Sequence, residues 1–309
     1  MLIDLPPPLW VPQAPAIIRP AEQQLASEWF RSAPKATRRF LIKRWVASGR
    51  LSKADAANTL VRSCKVSPVM AMLMVNQLIG FGAGGIGGND GYTKLLLHFD
   101  GADAATTTTD SSPSPKTVTF SGSAQLDTAQ FKFGTASLLL DGTDDYVYIE
   151  DTADIAFGTG DFTFDFWMKR AAVSGAQENT FGQGNAGLTG GYHYGKITAG
   201  NTMDFAMNDD ALLAAGPAGA PLNNTNLNHI AVVRSGNNLA VAVNGTWGAN
   251  TDVTAVTYTD STARFAIGQL GEFTDGSSFN GWIDEFRISK GIARWSPGTS
   301  FTPPTEAYA

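Results

Sequence analysis

The stretch DFTFDFWMKR (161–170) places Phe162, Phe164, Phe166 and Met168 in alternation with Thr163, Asp165, Trp167 and Lys169. Successive side chains of a strand point to opposite faces, so a period of two with large apolar residues on one phase is a strand packed on a core. Working outward, Leu239, Val241 and Val243 show the same phase and run into Asn244-Gly245, a pair suited to a two-residue hairpin turn. Further strands read at Leu95–Phe99, Ser137–Leu140, Tyr146–Ile149, Ile230–Val233, Ala263–Ile267 and Trp282–Ile288. Many short strands separated by Gly, Asn and Asp turns predict an antiparallel β-sandwich or jelly roll over 92–309. No tandem repeat at a fixed period is present.

The chain has 309 residues, 43% hydrophobic and 16% charged. That is enough apolar material for a large core, which excludes wholesale disorder. The single Cys64 excludes a disulfide framework and a multi-cysteine zinc site, and reads as a small apolar residue on a helix. The net charge of −6 conceals a division. Residues 1–65 carry eleven Lys/Arg against four acids, a net of +7, which leaves −13 for the remainder. A basic head on an acidic body predicts two functional surfaces.

The head divides further. Residues 1–20 hold six prolines among Leu5, Leu9, Trp10, Val11, Ile17 and Ile18, which predicts an extended arm laid on a partner rather than a solvated linker. Residues 21–80 predict a small α-helical docking segment. Lys35, Arg39 and Lys43 repeat along one face, Gly49 is a C-cap, and Ser67-Pro68 opens a Met-rich last helix. Seven glycines in residues 80–91 predict a hinge. The expected docking residues are Trp10, Arg38, Arg39, Lys43, Arg44, Met70 and Met74. The longest apolar run, Val66 to Phe81, is broken by Pro68, Asn76 and Gln77 and falls short of the ~20 residues a membrane span needs. No signal-peptide pattern is read at the N-terminus.

Five segments in 92–309 resemble the laminin-G/concanavalin-A-like lectin superfamily. They are TKLLLHFDG (93–101), FGTASLLLDGTDDYVYIE (133–150), DFTFDFWMKR (161–170), NHIAVVRSGNNLAVAVNG (228–245) and FNGWIDEFRISKGIARW (279–295). The resemblance implies a two-sheet jelly roll of roughly a dozen strands. With its Pro-rich arm, helices and hinge, the chain also resembles proteins of tailed bacteriophages and prophages. That second resemblance implies a virion structural protein, a tail fibre or spike or a head decoration or fibre. Such a protein is made in a host cytoplasm, held to other virion proteins through 1–80, and expected as a homo-oligomer.

Glycoside hydrolysis needs two carboxylates on one face. The Glu-x-Asp-x-x-Glu pattern of glucanase relatives is absent, and neighbouring Asp284 and Glu285 should face opposite sides of a strand, so catalysis by these or by Asp161 and Asp165 is not expected. His98, His193 and His229 lie in no nucleophile signature; His229 reads as a packed sheet residue and His193 as a loop or groove residue. Asp141, Asp144 and Asp145 crowd one turn and are candidate calcium ligands, with Asp100 and Asp284 as additions only if the first and last strands are neighbours. Sugar recognition wants aromatic platforms beside amides and carboxylates. Tyr192, Tyr194, Asn208, Asp209, Trp247, Asn250 and Trp282 are residues of that kind, with Tyr192, Tyr194 and Trp247 the expected glycan contacts and Trp167 and Trp282 expected as core or sheet-surface residues. The basic patch on the helices suits an acidic protein surface better than nucleic acid, because the acidic body opposes a polyanion. The sequence thus predicts a virion protein displaying a lectin-like jelly roll for host-surface glycan contact or shell coverage. The alternatives are a free bacterial carbohydrate-binding module and, third, a polysaccharide hydrolase.

Overall fold

The structure, a computed structural model, describes residues 88–184, 192–208, 212–219, 222, 226–271 and 276–308. The Pro-rich arm, the helical segment, the hinge up to residue 87 and all seven docking residues lie outside the described residues. So does Asp209.

The described residues form an antiparallel β-sandwich with one short 3-10 turn, Ala153–Ile155. Its strands are β1 (Thr93–Leu97), β2 (Thr119–Ser121), β3 (Gln125–Asp127), β4 (Ser137–Asp141), β5 (Tyr146–Ile149), β6 (Phe162–Arg170), β7 (Glu178–Gly184) and β8 (Tyr192–Ile197). They continue as β9 (Met203–Met207), β10 (Leu212–Ala215), β11 (Asn228–Ser235), β12 (Asn238–Val243), β13 (Thr246–Trp247), β14 (Thr251–Asp252), β15 (Phe265–Ile267) and β16 (Asn280–Lys290). One sheet runs β13-β12-β11-β6-β16-β4-β3, with β1 added beside β16 and β14 beside β12. The other runs β10-β9-β8-β7-β15-β5-β2. The first and last strands are therefore neighbours, β1 pairing the later half of β16 and β4 its earlier half.

The alternation in 161–170 settles where the core sits. Phe162, Phe164, Phe166 and Met168 are fully buried between the sheets. Phe164 stacks on Phe181 of the opposite sheet with ring centroids 5.0 Å apart, and Phe166 stacks on Phe286 at 5.2 Å. Such aromatic pairs add ~0.5–1.5 kcal/mol beyond their burial. The hairpin signal is met as well: Asn244 and Gly245 both take positive φ, 50° and 79°, between β12 and β13.

Gly245 has a second reason to be glycine. A Cβ there would lie 1.8 Å from the Phe301 carbonyl oxygen, because the C-terminal tail packs directly on this turn. The tail crosses the outer face of the nine-stranded sheet. Trp295 and Phe301 stack at 4.5 Å over Ala231, Val233 and Ala242, and Trp247 donates its indole N–H to the Thr299 carbonyl at 2.8 Å. Tyr308 ends the crossing fully inside, its ring 3.9 Å from the Arg287 guanidinium. This sheet accordingly has apolar contacts on both of its faces.

Candidate functional site

The seven-stranded sheet turns its inner phase, Val147, Ile149, Phe181, Phe205, Phe265 and Ile267, into the core. The other phase must then face outward. Register links Tyr148 of β5 to Ala266 of β15, Ala266 to Gly182 of β7, Gly182 to Tyr194 of β8, and Tyr194 to Ala206 of β9. Two tyrosines thus bracket small residues across five strands, with Tyr146 and Tyr192 two positions along their own strands. Tyr146, Tyr148 and Tyr192 are half-buried, and Tyr194 is sealed by Leu270 and Ala206. Tyr194 packs beside Tyr192, their ring centroids 5.6 Å apart. Cations accompany the rings. The Arg264 guanidinium lies 4.4 Å from the Tyr148 ring, and Lys196 donates to the Tyr194 hydroxyl at 3.0 Å. Such an arrangement can stack an apolar sugar face and hydrogen-bond its rim.

Of the residues expected from sequence, the structure brings Tyr192 and Tyr194 together on this face. Trp247 lies on the other sheet, in β13, beside Phe301. Asn208 sits at the end of β9, where its side chain donates to the Thr257 carbonyl at 2.9 Å. His193 is in a strand rather than a loop. It points inward, stacks on Tyr258 at 3.7 Å and reaches the Thr259 carbonyl at 2.7 Å. Tyr146, Tyr148, Arg264 and Lys196 were missed, although the YVYI alternation of β5 already carried the signal for its two tyrosines.

Asp141, Asp144 and Asp145 converge at the turn after β4, with ligand oxygens within 4.8 Å of one another. Asp145 is buried and accepts the Ser123 and Asp141 backbone N–H groups. Burial and its two acidic neighbours raise its pKa, a repulsion that a divalent cation would relieve, and an all-oxygen set suits a hard ion. Asp100 and Asp284 are not part of the cluster. Asp100 accepts the Thr135 hydroxyl, and Asp284 accepts the Lys132 and Phe133 backbone N–H groups at 2.6 and 3.1 Å.

Of the carboxylates considered for hydrolysis, Asp161 accepts the Gly236 backbone N–H at 2.7 Å, and Asp165, Asp284 and Glu285 are buried. Asp165 is fully buried in a two-point pair with Arg287, at 3.0 and 2.9 Å. Burial raises its pKa, and the Arg287 charge and hydrogen bonds, with the His229 ring 3.9 Å away, more than reverse this, to about 2. Burial itself holds His229 below the usual imidazole value, leaving a neutral ring 3.3 Å from the Tyr308 hydroxyl. The expectation that Asp284 and Glu285 face opposite ways is corrected by a β-bulge between Asp284 and Arg287, with Glu285 at φ 52°. The extra residue resets the phase. Glu285 reaches His98 at 2.8 Å and accepts the Tyr308 backbone N–H at 3.0 Å, so it fastens the tail rather than meeting a substrate. Burial pushes Asp284 up to about 7.

Residues 141–294 match a laminin-G family model described as the concanavalin A-like lectin/glucanases superfamily, and that stretch is a domain of this superfamily. The structure aligns with the binding domain of Paraclostridial Mosquitocidal Protein 1 at a TM-score of 0.50 and 11% identity, over 66% of this chain and 50% of that one. A mutant of HCR D/C VPI 5995 aligns at 0.50 and 16%, again over 66% and 50%. Domain 4 of AbnA, an extracellular GH43 arabinanase of Geobacillus stearothermophilus solved with arabinotriose, aligns at 0.48 and 18%, over 65% of this chain and 93% of that one. The first two alignments agree with the sandwich topology and span about half the length of those chains. No curated protein matches this chain in sequence. Among the described residues, no helix is long and apolar enough to cross a membrane.

Proposed function

We propose that the sandwich is a non-catalytic, lectin-like carbohydrate-binding module whose contact surface is the tyrosine face of the seven-stranded sheet. The observation that carries this reading is the placement of Tyr146, Tyr148 and Tyr192, half-exposed on one sheet face beside Arg264 and Lys196. Two further points support it. Asp165 is held in a buried pair with Arg287 and Glu285 is taken up by His98 and the Tyr308 backbone, and the similar mosquitocidal structure is itself described as a binding domain. The test is a glycan array probed with the full chain and with Tyr148→Ala and Tyr192→Ala. A glycan signal that drops about tenfold or more in both variants upholds the site. A signal unchanged in both refutes it.

The larger setting proposed here is a virion, with residues 1–80 docking the module to other particle proteins, as an oligomer, and the sandwich turned to a host-surface glycan. The +7 net charge of residues 1–65 against an acidic remainder supports separate anchor and display surfaces. Deleting residues 1–80 should abolish incorporation into particles; undiminished incorporation overturns the anchor. Calcium at Asp141, Asp144 and Asp145 is proposed as a stabiliser of the turn after β4.

A further inference from the structure

The tail seals the outer face of the nine-stranded sheet over β11, β12 and β13 and leaves part of that face open. Register connects Gln125 of β3 to Leu139 of β4, Leu139 to Trp282 of β16, and Trp282 to Lys169 of β6. All four are half-buried, whereas their strand neighbours Leu126, Leu138, Leu140, Ile283 and Met168 fill the core. An outward row therefore crosses four strands with an indole at its centre.

The indole is held. Trp282 donates its Nε1–H to Asp127 Oδ2 at 2.7 Å, and the Lys169 ammonium lies 5.3 Å from the ring. Lys169 also donates to the Gln130 side-chain carbonyl. Gln130 belongs to the 128–135 loop, which Asp284 pins to the sheet through the Lys132 and Phe133 backbone N–H groups. Phe131, 40% exposed, stands on that loop. A side chain fixed in this way loses little rotamer freedom when it is covered.

Size and charge select the occupant. The row spans three inter-strand spacings, ~14 Å, and is about one side chain wide, on the order of 100 Å². A stable protein interface needs about 800 Å² from each partner, far more than this row offers. The row and its rim carry one ammonium, Lys169, and one carboxylate, Asp127, so they favour an uncharged ligand. An indole face ringed by two amides, a carboxylate and an ammonium matches a sugar, whose C–H face is apolar and whose rim is hydroxyl.

We infer that Trp282, with Asp127, Gln125, Gln130 and Lys169, forms a second saccharide site for a short, uncharged oligosaccharide, on the sheet opposite the tyrosine face. The module would then be bivalent, and two weak sites engaging one glycan-coated surface gain avidity without new contacts.

The test titrates the full chain, Trp282→Ala, Trp282→Phe, Gln125→Ala and Tyr192→Ala with arabinotriose, maltotriose, cellotriose and xylotriose, read by calorimetry and saturation-transfer NMR. The expected result is at least one trisaccharide whose affinity falls about tenfold in Trp282→Ala, stays within about threefold in Trp282→Phe, and falls in Gln125→Ala, a substitution at a half-buried, outward-facing position that leaves the core alone. Absence of binding by all four sugars, or affinities unmoved by Trp282→Ala and Gln125→Ala, overturns the site. Loss in Tyr192→Ala with none in Trp282→Ala overturns it while leaving the tyrosine face standing. Loss confined to the Trp282 and Gln125 variants upholds it and removes the tyrosine face for those sugars.

Discussion

Arg287→Met tests the account of the outer face most directly. Arg287 and Asp165 are fully buried, joined by hydrogen bonds of 3.0 and 2.9 Å, with the Tyr308 ring 3.9 Å from the guanidinium. Methionine keeps much of the stem's volume and removes the cation, leaving the Asp165 carboxylate buried. Breaking one side of a buried pair costs ~3–5 kcal/mol, because the remaining carboxylate loses its counter-ion and keeps the neutral His229 ring 3.9 Å away. At ~2–4 °C per kcal/mol for a domain of this size, the melting temperature should fall by roughly 6–20 °C at pH 7. The acid limb supplies a second reading. Asp165 is depressed from 3.8 to about 2 in the folded state, so its stabilisation is present above the unfolded value and is lost as pH falls from 4 towards 2. That interval corresponds to about 2–3 kcal/mol. The double variant Asp165→Leu/Arg287→Met should recover most of the loss at pH 7 and show no such acid step, since apolar replacement of a whole buried pair is often neutral or better. Calorimetry and urea melts on the full chain measure both. An Arg287→Met cost under about 1 kcal/mol, or a double variant as damaged as the single one, would refute the sealed-pair account.

Three further outcomes follow from the same geometry. Tyr308→Ala empties a fully buried ring site and frees the tail, which should cost ~3–5 kcal/mol in urea melts and shift tryptophan emission to the red as Trp295 is wetted; unchanged emission and stability would mean the tail does not seal the sheet. The hydrogen bond to Glu285 raises the His98 pKa, so its contribution is full below the ordinary imidazole value and fades as pH rises through the folded value. His98→Gln should therefore destabilise more at pH 6 than at pH 9, and an equal loss at both contradicts the pairing. Calcium bound at Asp141, Asp144 and Asp145 should raise the melting temperature with concentration, by about 2.7 kcal/mol at a hundredfold excess over its dissociation constant. A flat titration, or one that persists in Asp144→Ala, removes the ion from that turn.

Much of the fold was legible because it depends on local alternation. β5 matches its expected bounds, β6 fills 162–170 of the quoted stretch, and β11 and β16 extend theirs by two residues at each end, since a strand packed on one face records its phase residue by residue. The candidate site was half legible. Tyr192 and Tyr194 were named, but they were paired with Trp247, which neighbours them in kind and not in space. His193 was misjudged because Gly190 and Gly191 before it resemble a loop, whereas the Tyr-His-Tyr alternation belongs to β8. Asp284 and Glu285 show the limit of the alternation rule. One bulged residue reverses every later side chain, and nothing in DEFR (284–287) announces it.

By itself the sequence determined the class of structure, the inward phase of the strands, the Asn244-Gly245 turn and the split between basic head and acidic body. These rest on near neighbours along the chain. The pairing of β1 with β16, the row Tyr148-Ala266-Gly182-Tyr194, the row through Trp282 and the closing of one face by Trp295, Phe301 and Tyr308 join residues from about a dozen to almost two hundred positions apart. Only register across the sheets and the path of the tail could decide which face of the sandwich stays open, because both depend on how the strands add up in space.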